Sequence, residues 1–256
     1  MGGRWSVQDD PLDSLEAVLE ARAEPTIVLL GEGGAGKTTL LRRLEASTAL
    51  ANLRGTQGDG GATLPYFVPL REFRVGPRVR AVEAREWLAS RWAGQHPLQE
   101  GLAEALARGG VLLLLDGALS AGVFSEAEQR ALVEGWAQVA AWASSAHPSN
   151  RVLISSRHHR ATELLSTSAM RVPHAQIAPL DEAQIHSYLQ RTAAEANAAS
   201  WSALIPSARL DVLRRPFYLA LFGEQLAHTV SPRIGRATLV TAFVRRALER
   251  ELSRGG

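Results

Sequence analysis

The chain has 256 residues, 46% of them hydrophobic, with 28 basic and 26 acidic side chains and a net charge of +2. That suits one large or two small domains with an apolar core, and the interspersed charges give little reason to expect nucleic acid. With no cysteine, disulfides and thiolate metal sites are excluded, and no apolar run approaches the roughly 18 residues needed to span a bilayer.

The N-terminus places Ser6 where a myristoylation signal would, but no polybasic patch follows. The first apolar run is short and interrupted by Asp9, Asp10 and Asp13, unlike a secretory signal, so a cytoplasmic protein is expected. Leu12, Leu15, Val18 and Leu19 then recur at helical spacing after Asp10 and Pro11. Thr26 to Leu30 form an apolar run between Pro25 and Gly31, which predicts a buried strand. Next comes Gly31-Glu32-Gly33-Gly34-Ala35-Gly36-Lys37-Thr38, followed by a helix over 37–47. This octapeptide is G-x-x-x-x-G-K-[ST], the phosphate-binding P-loop, in its strand–loop–helix setting.

Lys37 is the only lysine in the chain. A compact ammonium on a slim stem fits between phosphates where a planar guanidinium does not. Glycines at 33, 34 and 36 let the backbone curl around phosphate oxygens, and the helix start adds a positive dipole end. Lys37 is expected at the β- and γ-phosphates, the Thr38 hydroxyl on Mg²⁺, and Thr39 at the α-phosphate.

Residues 55–63 are glycine-rich and read as a loop. Residues 64–70 read as a second strand, whose Pro65 and Pro69 suggest a sheet edge or strand end. Helices are predicted over 82–93 and 98–107, a buried strand over 111–116, a long helix over 126–143, a strand over 151–156 and a last strand within 170–177. Strands alternating with helices predict an α/β fold, a parallel sheet with helices on both faces. Asp116 ends its strand where a carboxylate can hold a water on Mg²⁺. From residue 180 the pattern turns wholly helical, with helices from 181 and over 208–213, 216–228 and 236–252. The expected division is an N-terminal helix and linker over 1–23, a nucleotide-binding domain over 24–179 and a helical domain over 180–256.

Four segments in this order resemble the NACHT family of signal-transduction NTPases, within the STAND branch of AAA+ proteins. They are Ile27 through Leu40, Leu112 through Gly117, Val152-Leu153-Ile154-Ser155-Ser156-Arg157, and Ile177 through Ile185 followed by Tyr188-Leu189. Arg215-Pro216-Phe217-Tyr218-Leu219-Ala220-Leu221 is similar to the family segment whose proline packs near the adenine, which implies that place for Pro216. Arg157 matches the sensor-1 position, implying a cation that senses the γ-phosphate. The resemblance spans roughly residues 24 to 252, and implies a P-loop NTPase fold of AAA+/STAND type followed by the first helical domain.

It further implies a nucleotide-controlled switch, closed with ADP and opened by ATP exchange. Opened copies associate through their nucleotide domains and activate an effector by proximity. Bacterial members often defend against phage and animal members serve innate immunity. The arginine-rich, lysine-poor composition suggests a GC-rich bacterial genome.

Two departures matter. NACHT members commonly carry a further acidic pair after Asp-Gly, one of which positions the attacking water. Here Asp116-Gly117 leads into Ala118-Leu119-Ser120, with Glu126 and Glu128 as possible substitutes from the next helix. Tight ATP/Mg²⁺ binding with slow hydrolysis is expected. In addition, the sequence ends after the first helical domain, with no winged-helix segment, repeat sensor or evident effector, as either an excised fragment or a minimal protein would, so autoinhibition by this chain alone is not expected.

His158-His159 lacks acidic company before Glu163 and reads as a polar loop. Trp87, Trp92, Trp136 and Trp142 read as core. Arg42-Arg43, Arg214-Arg215 and Arg245-Arg246 read as solvated faces, with a finger from one of them toward a neighbour's γ-phosphate as the lesser alternative. Competing functions are an AAA+ remodeller or loader, a small-molecule kinase, and a nucleotide-stabilised scaffold without switching. The absence of an Asn-Lys-x-Asp guanine reader favours ATP.

Overall fold

The structure, a computed structural model, describes residues 12–55, 62–73, 81–95, 100–117, 126–157, 172–192, 211–226 and 235–254. These divide into two units, one of residues 1–31 with 37–176, the other of residues 32–36 with 177–256.

In the first unit α1 (Leu15–Ala21) starts at Ser14, whose side chain accepts the Ala17 N–H at 3.1 Å. It precedes β1 (Thr26–Leu30), α2 (Lys37–Arg54), β2 (Leu64–Pro69), a 3₁₀ turn (Leu70–Glu72), α3 (Ala81–Gln95) and α4 (Leu102–Arg108). Then follow β3 (Val111–Asp116), α5 (Glu126–Ala146), β4 (Arg151–Ser156) and β5 (His174–Gln176). The five strands pair in parallel in the order β2-β3-β4-β1-β5. β2 lies at an edge, where Pro65 and Pro69 need no ladder donor on the open side.

Successive strand residues face opposite sides of the sheet. Val28, Leu30, Tyr66, Val68, Leu113, Leu115, Val152 and Ile154 form one core with buried residues of α3, α4 and α5, Trp92 and Trp136 among them. Ile27, Leu29, Leu112, Leu114 and Leu153, of the opposite parity, are equally buried. α2 packs on that face: it contacts β2 and β3, and its Arg42 guanidinium sits 3.6 Å above the Phe67 ring. Helices therefore cover both faces of the five-stranded parallel sheet, an α/β fold.

Several boundaries differ from the sequence reading. α2 runs seven residues past 47, because nothing between Ser47 and Gly55 breaks a helix. α4 starts later, at Leu102, where Glu104 reaches back to the Gly101 N–H at 3.0 Å. β5 is confined to three residues.

The second unit contains α6 (Glu182–Thr192), α7 (Pro216–Leu226) and α8 (Arg236–Arg254). α6 opens on a reciprocal cap: Asp181 Oδ1 accepts the Gln184 N–H at 2.7 Å, and Gln184 Oε1 accepts the Asp181 N–H at 3.0 Å. Ile185, Leu189, Leu213, Leu219, Leu221, Phe222 and Leu239 form its own core. Of the expected helix over 208–213, residues 211–213 are helical and 208–210 fall outside the described residues.

Candidate functional site

The carboxyl ends of β1, β3 and β4 carry the residues singled out in the sequence, at the end where open parallel sheets bind ligands. Register fixes who meets whom. Leu30 pairs with Ser156 and Leu115 with Ile154, so Gly31 after β1, Asp116 at the end of β3 and Arg157 after β4 lie at the same end of the sheet.

Lys37 and Thr38 open α2, an 18-residue helix whose N-terminal dipole end favours anions. Lys37 is 8% exposed, and its Nζ donates to the Gly31 carbonyl at 2.5 Å. Burial, and after it the charge of Arg157, holds this ammonium below the usual lysine range, against the opposing pull of Asp116. The negative charge of a phosphate arriving there would offset both penalties. The Thr38 hydroxyl donates to Asp116 Oδ2 at 2.7 Å, and Asp116 Oδ1 accepts from the Ser155 hydroxyl at 2.6 Å. Hard oxygen donors of this kind suit Mg²⁺, which keeps several waters and takes one or two protein ligands. Among the described residues no group of three His, Cys, Asp or Glu side chains could hold a metal by itself. Arg157 is exposed, as is Thr39 on the first turn of α2.

Loop residues 32–36 belong with the helical unit. Gly34 and Gly36 lie at φ +80° and +92°, where side chains are strained, and a Cβ on Gly34 would meet the Phe217 Cβ at 2.8 Å. Gly33 has open space and no such backbone demand, so the glycine requirement read for all three holds at two. The Ala35 N–H donates to the Glu32 carbonyl at 3.2 Å, closing the turn. The Phe217 N–H donates to the Gly34 carbonyl at 3.2 Å, and Pro216 Cγ lies 3.9 Å from where a Gly36 Cβ would stand. The loop carboxylate of Glu32 pairs with the Arg215 guanidinium. Arg215 had read as part of a solvated face; it is 30% exposed and engaged by the loop instead.

The sequence-predicted residues thus fall into two sets. Lys37, Thr38, Asp116 and Arg157 group in the first unit, and Glu32, Gly34, Gly36 and Pro216 in the second. Sequence reasoning gave Ser155 no role and read Arg215 as part of a solvated face. A signal existed for Ser155: a hydroxyl ending a buried apolar strand must find a partner. Residues 118–125 and His158-His159 lie outside the described residues; Glu128 is half-buried near the start of α5.

The family model described as NACHT domain matches residues 25–196. Comparison with curated proteins gave no match. Among solved structures, the Walker-type ATPase PABY2304 of Pyrococcus abyssi superposes with a TM-score of 0.55 at 18% identity, covering 94% of this chain and 73% of that one. At that identity the likeness shows the fold. The HORMA:CdnC:Trip13 complex of E. coli MS115-1 gives a TM-score of 0.42 at 18% identity, covering 82% of this chain and 63% of that one. The RuvB Holliday junction branch migration motor of Thermotoga maritima gives 0.40 at 14%, covering 89% and 63%.

Proposed function

We propose a function from one premise: the chain belongs to the NACHT family of P-loop NTPases, and is a nucleotide-binding NTPase. In this reading it binds ADP and ATP with Mg²⁺ in a cytoplasmic setting and acts as a switch whose output is self-association. It hydrolyses ATP slowly, and bacterial antiphage or immune-type signalling is the setting that fits best. Residues 24–179 form the nucleotide-binding domain, 180–256 the helical domain and 1–23 a linker. Among the described residues no helix is long and apolar enough to cross a membrane.

Gly31, Glu32, Gly33, Gly34, Ala35 and Gly36 would wrap the phosphates with backbone N–H groups. Lys37 would neutralise the β- and γ-oxygens, Thr38 would ligate Mg²⁺ directly and Asp116 through water. Thr39 would bind the α-phosphate, Arg157 sense the γ-phosphate and Pro216 pack against adenine. One observation supports the reading best. A buried, destabilised ammonium stands beside a hydroxyl–carboxylate pair at the head of a loop that runs left-handed at Gly34 and Gly36. The switch draws support from residues 32–36, which pack with Arg215 and Phe217. Phosphate bound by this loop acts on the residues the loop already touches.

The test is calorimetry with ADP and a non-hydrolysable ATP analogue, with solution mass measured in each state, on wild type and Lys37→Ala. Magnesium-dependent binding lost in Lys37→Ala, and a larger mass with the ATP analogue, are expected. No nucleotide uptake by folded wild type would sink the whole reading. Binding with equal mass in both states would remove the switch and leave a scaffold. Turnover near that of efficient P-loop ATPases would favour a remodeller.

A further inference from the structure

We propose that Ser155 is a positioning residue that locks the Asp116 carboxylate so that Thr38 presents its hydroxyl oxygen to a divalent cation. This rests on the nucleotide-and-magnesium reading above, and concerns a side chain to which that reading gives no role.

Ser155 sits next to last in β4, wholly buried, one register step beyond the Leu115–Ile154 pair and hence beside Asp116. A serine hydroxyl has one proton to give and two lone pairs to receive with. The Gly117 N–H donates to Ser155 Oγ at 2.8 Å. An amide N–H can only donate, so this bond occupies a lone pair. The hydroxyl proton is then committed to Asp116 Oδ1, 2.6 Å away. On the other carboxylate oxygen, Oδ2 accepts the Thr38 proton at 2.7 Å. The order of donors is therefore fixed: Gly117 N–H to Ser155, Ser155 to Asp116, Thr38 to Asp116.

This order decides what Thr38 offers a ligand. With its proton turned into Asp116, the hydroxyl shows lone pairs outward, the state a hard cation requires. Were the Asp116 carboxylate free to rotate, Thr38 would lose its acceptor and its proton would sample the cation's side. Two hydroxyls, one per carboxylate oxygen, remove that freedom. Gly117, at φ +86°, turns the chain out of the strand while keeping its N–H on Ser155. A serine that only satisfied a buried amide would leave Asp116 to other partners, whereas this one spends its proton on the carboxylate. Groups that orient metal ligands in this way typically alter metal affinity by about 10–100-fold when removed.

The experiment measures ADP affinity across a series of free Mg²⁺ concentrations and in EDTA. For Ser155→Ala, the Mg²⁺ concentration at half-effect is expected to rise about tenfold, while affinity in EDTA stays within about twofold of wild type. Ser155→Cys, nearly the same size but a weak donor, is expected to fall between the two and carries the test alone if the alanine variant does not fold. An unchanged Mg²⁺ midpoint in a folded variant overturns the proposal. So does an equal loss of affinity in EDTA, since that reports general damage to the site. Wild type binding ADP equally with Mg²⁺ and with EDTA overturns this proposal and leaves nucleotide binding standing. Wild type that binds no ADP under any condition overturns the nucleotide reading itself.

Discussion

Asn150→Ala should destabilise the first unit more than any single change at the phosphate loop. Asn150 is fully buried just before β4, at the amino end of the strands, away from Asp116. Its Oδ1 accepts the Val111 N–H at 3.0 Å, and its Nδ2 donates to the carbonyls of Leu106 at 2.8 Å and Ala143 at 2.9 Å. One side chain thus joins the last turn of α4, the start of β3 and the end of α5. Alanine leaves one buried donor and two buried acceptors unmatched. Each orphaned group costs about 1–3 kcal/mol, and carbonyls with a second partner sit at the low end, so the sum is about 3–6 kcal/mol. That rivals the whole stability of a domain, about 5–15 kcal/mol. Urea unfolding followed by tryptophan fluorescence measures it, with Asn150→Leu as the control that fills the volume and restores no bond. Both variants should lose similar amounts. Asn150→Asp keeps an acceptor for Val111 but turns a carboxylate oxygen toward two carbonyls. Its folded-state pKa is therefore raised, and its deficit should shrink as the pH falls from 7 toward 4, where the protonated form can donate to one of them. A loss below about 1 kcal/mol in Asn150→Ala would refute the reasoning, since even one orphaned group costs that much.

Three further predictions concern other joints of the fold. Burial pushes the Tyr66 phenol up from 10 to about 12, so the unfolded chain ionises first and stability is lost as the pH climbs from 10 toward 12, by up to about 2 kcal/mol; Tyr66→Phe should abolish that slope in urea midpoints, at a cost below pH 10 of about 1 kcal/mol for the bond to the Leu88 carbonyl. Gly109→Ala drives a methyl into the His147 ring at φ +91° and should cost about 2 kcal/mol or more; adding His147→Ala should recover the overlap and leave the backbone strain. Arg151→Met removes donors to the Leu19 carbonyl at 3.1 Å and the Arg22 carbonyl at 2.8 Å, and should speed amide exchange in α1 while the sheet amides keep their protection.

What was legible in the sequence was whatever a local pattern dictates. β1, β3 and β4 each carry an apolar run on both of their covered faces (residues 27–30, 111–115 and 152–154), and Pro65 and Pro69 pointed to a sheet edge or strand end at β2, which is an edge. The P-loop was legible because close backbone curvature demands glycine at Gly34 and Gly36. Residues that act across the fold were not. Asn150 ends His147-Pro148-Ser149-Asn150, which reads as an ordinary turn, and its partners lie in three other elements. Arg215 looked like one more solvated arginine, because nothing local announces a carboxylate brought in from the loop after β1. Ser155 lay between the two cases: its burial was readable from the strand, but the strand order that sets β3 beside β4 was not.

The Glu32–Arg215 pair carries a consequence for binding rather than for stability. Glu32 is 67% exposed and Arg215 30%, so the pair itself contributes only about 0–1 kcal/mol to folding. Yet a carboxylate within a phosphate-binding loop repels the ligand the loop is built to hold, and Arg215 neutralises it. Arg215→Gln should therefore weaken ADP binding by about fivefold at low salt, close to 1 kcal/mol, with the deficit shrinking as ionic strength rises. Glu32→Gln should bind at least as well as wild type. The deciding arm is the double variant. If Arg215 acts by cancelling Glu32, removing both charges restores affinity to within about twofold of wild type, because the repulsion has gone with its source. If Arg215 instead touches phosphate directly, the double variant stays as weak as Arg215→Gln alone, and the charge-cancelling account fails.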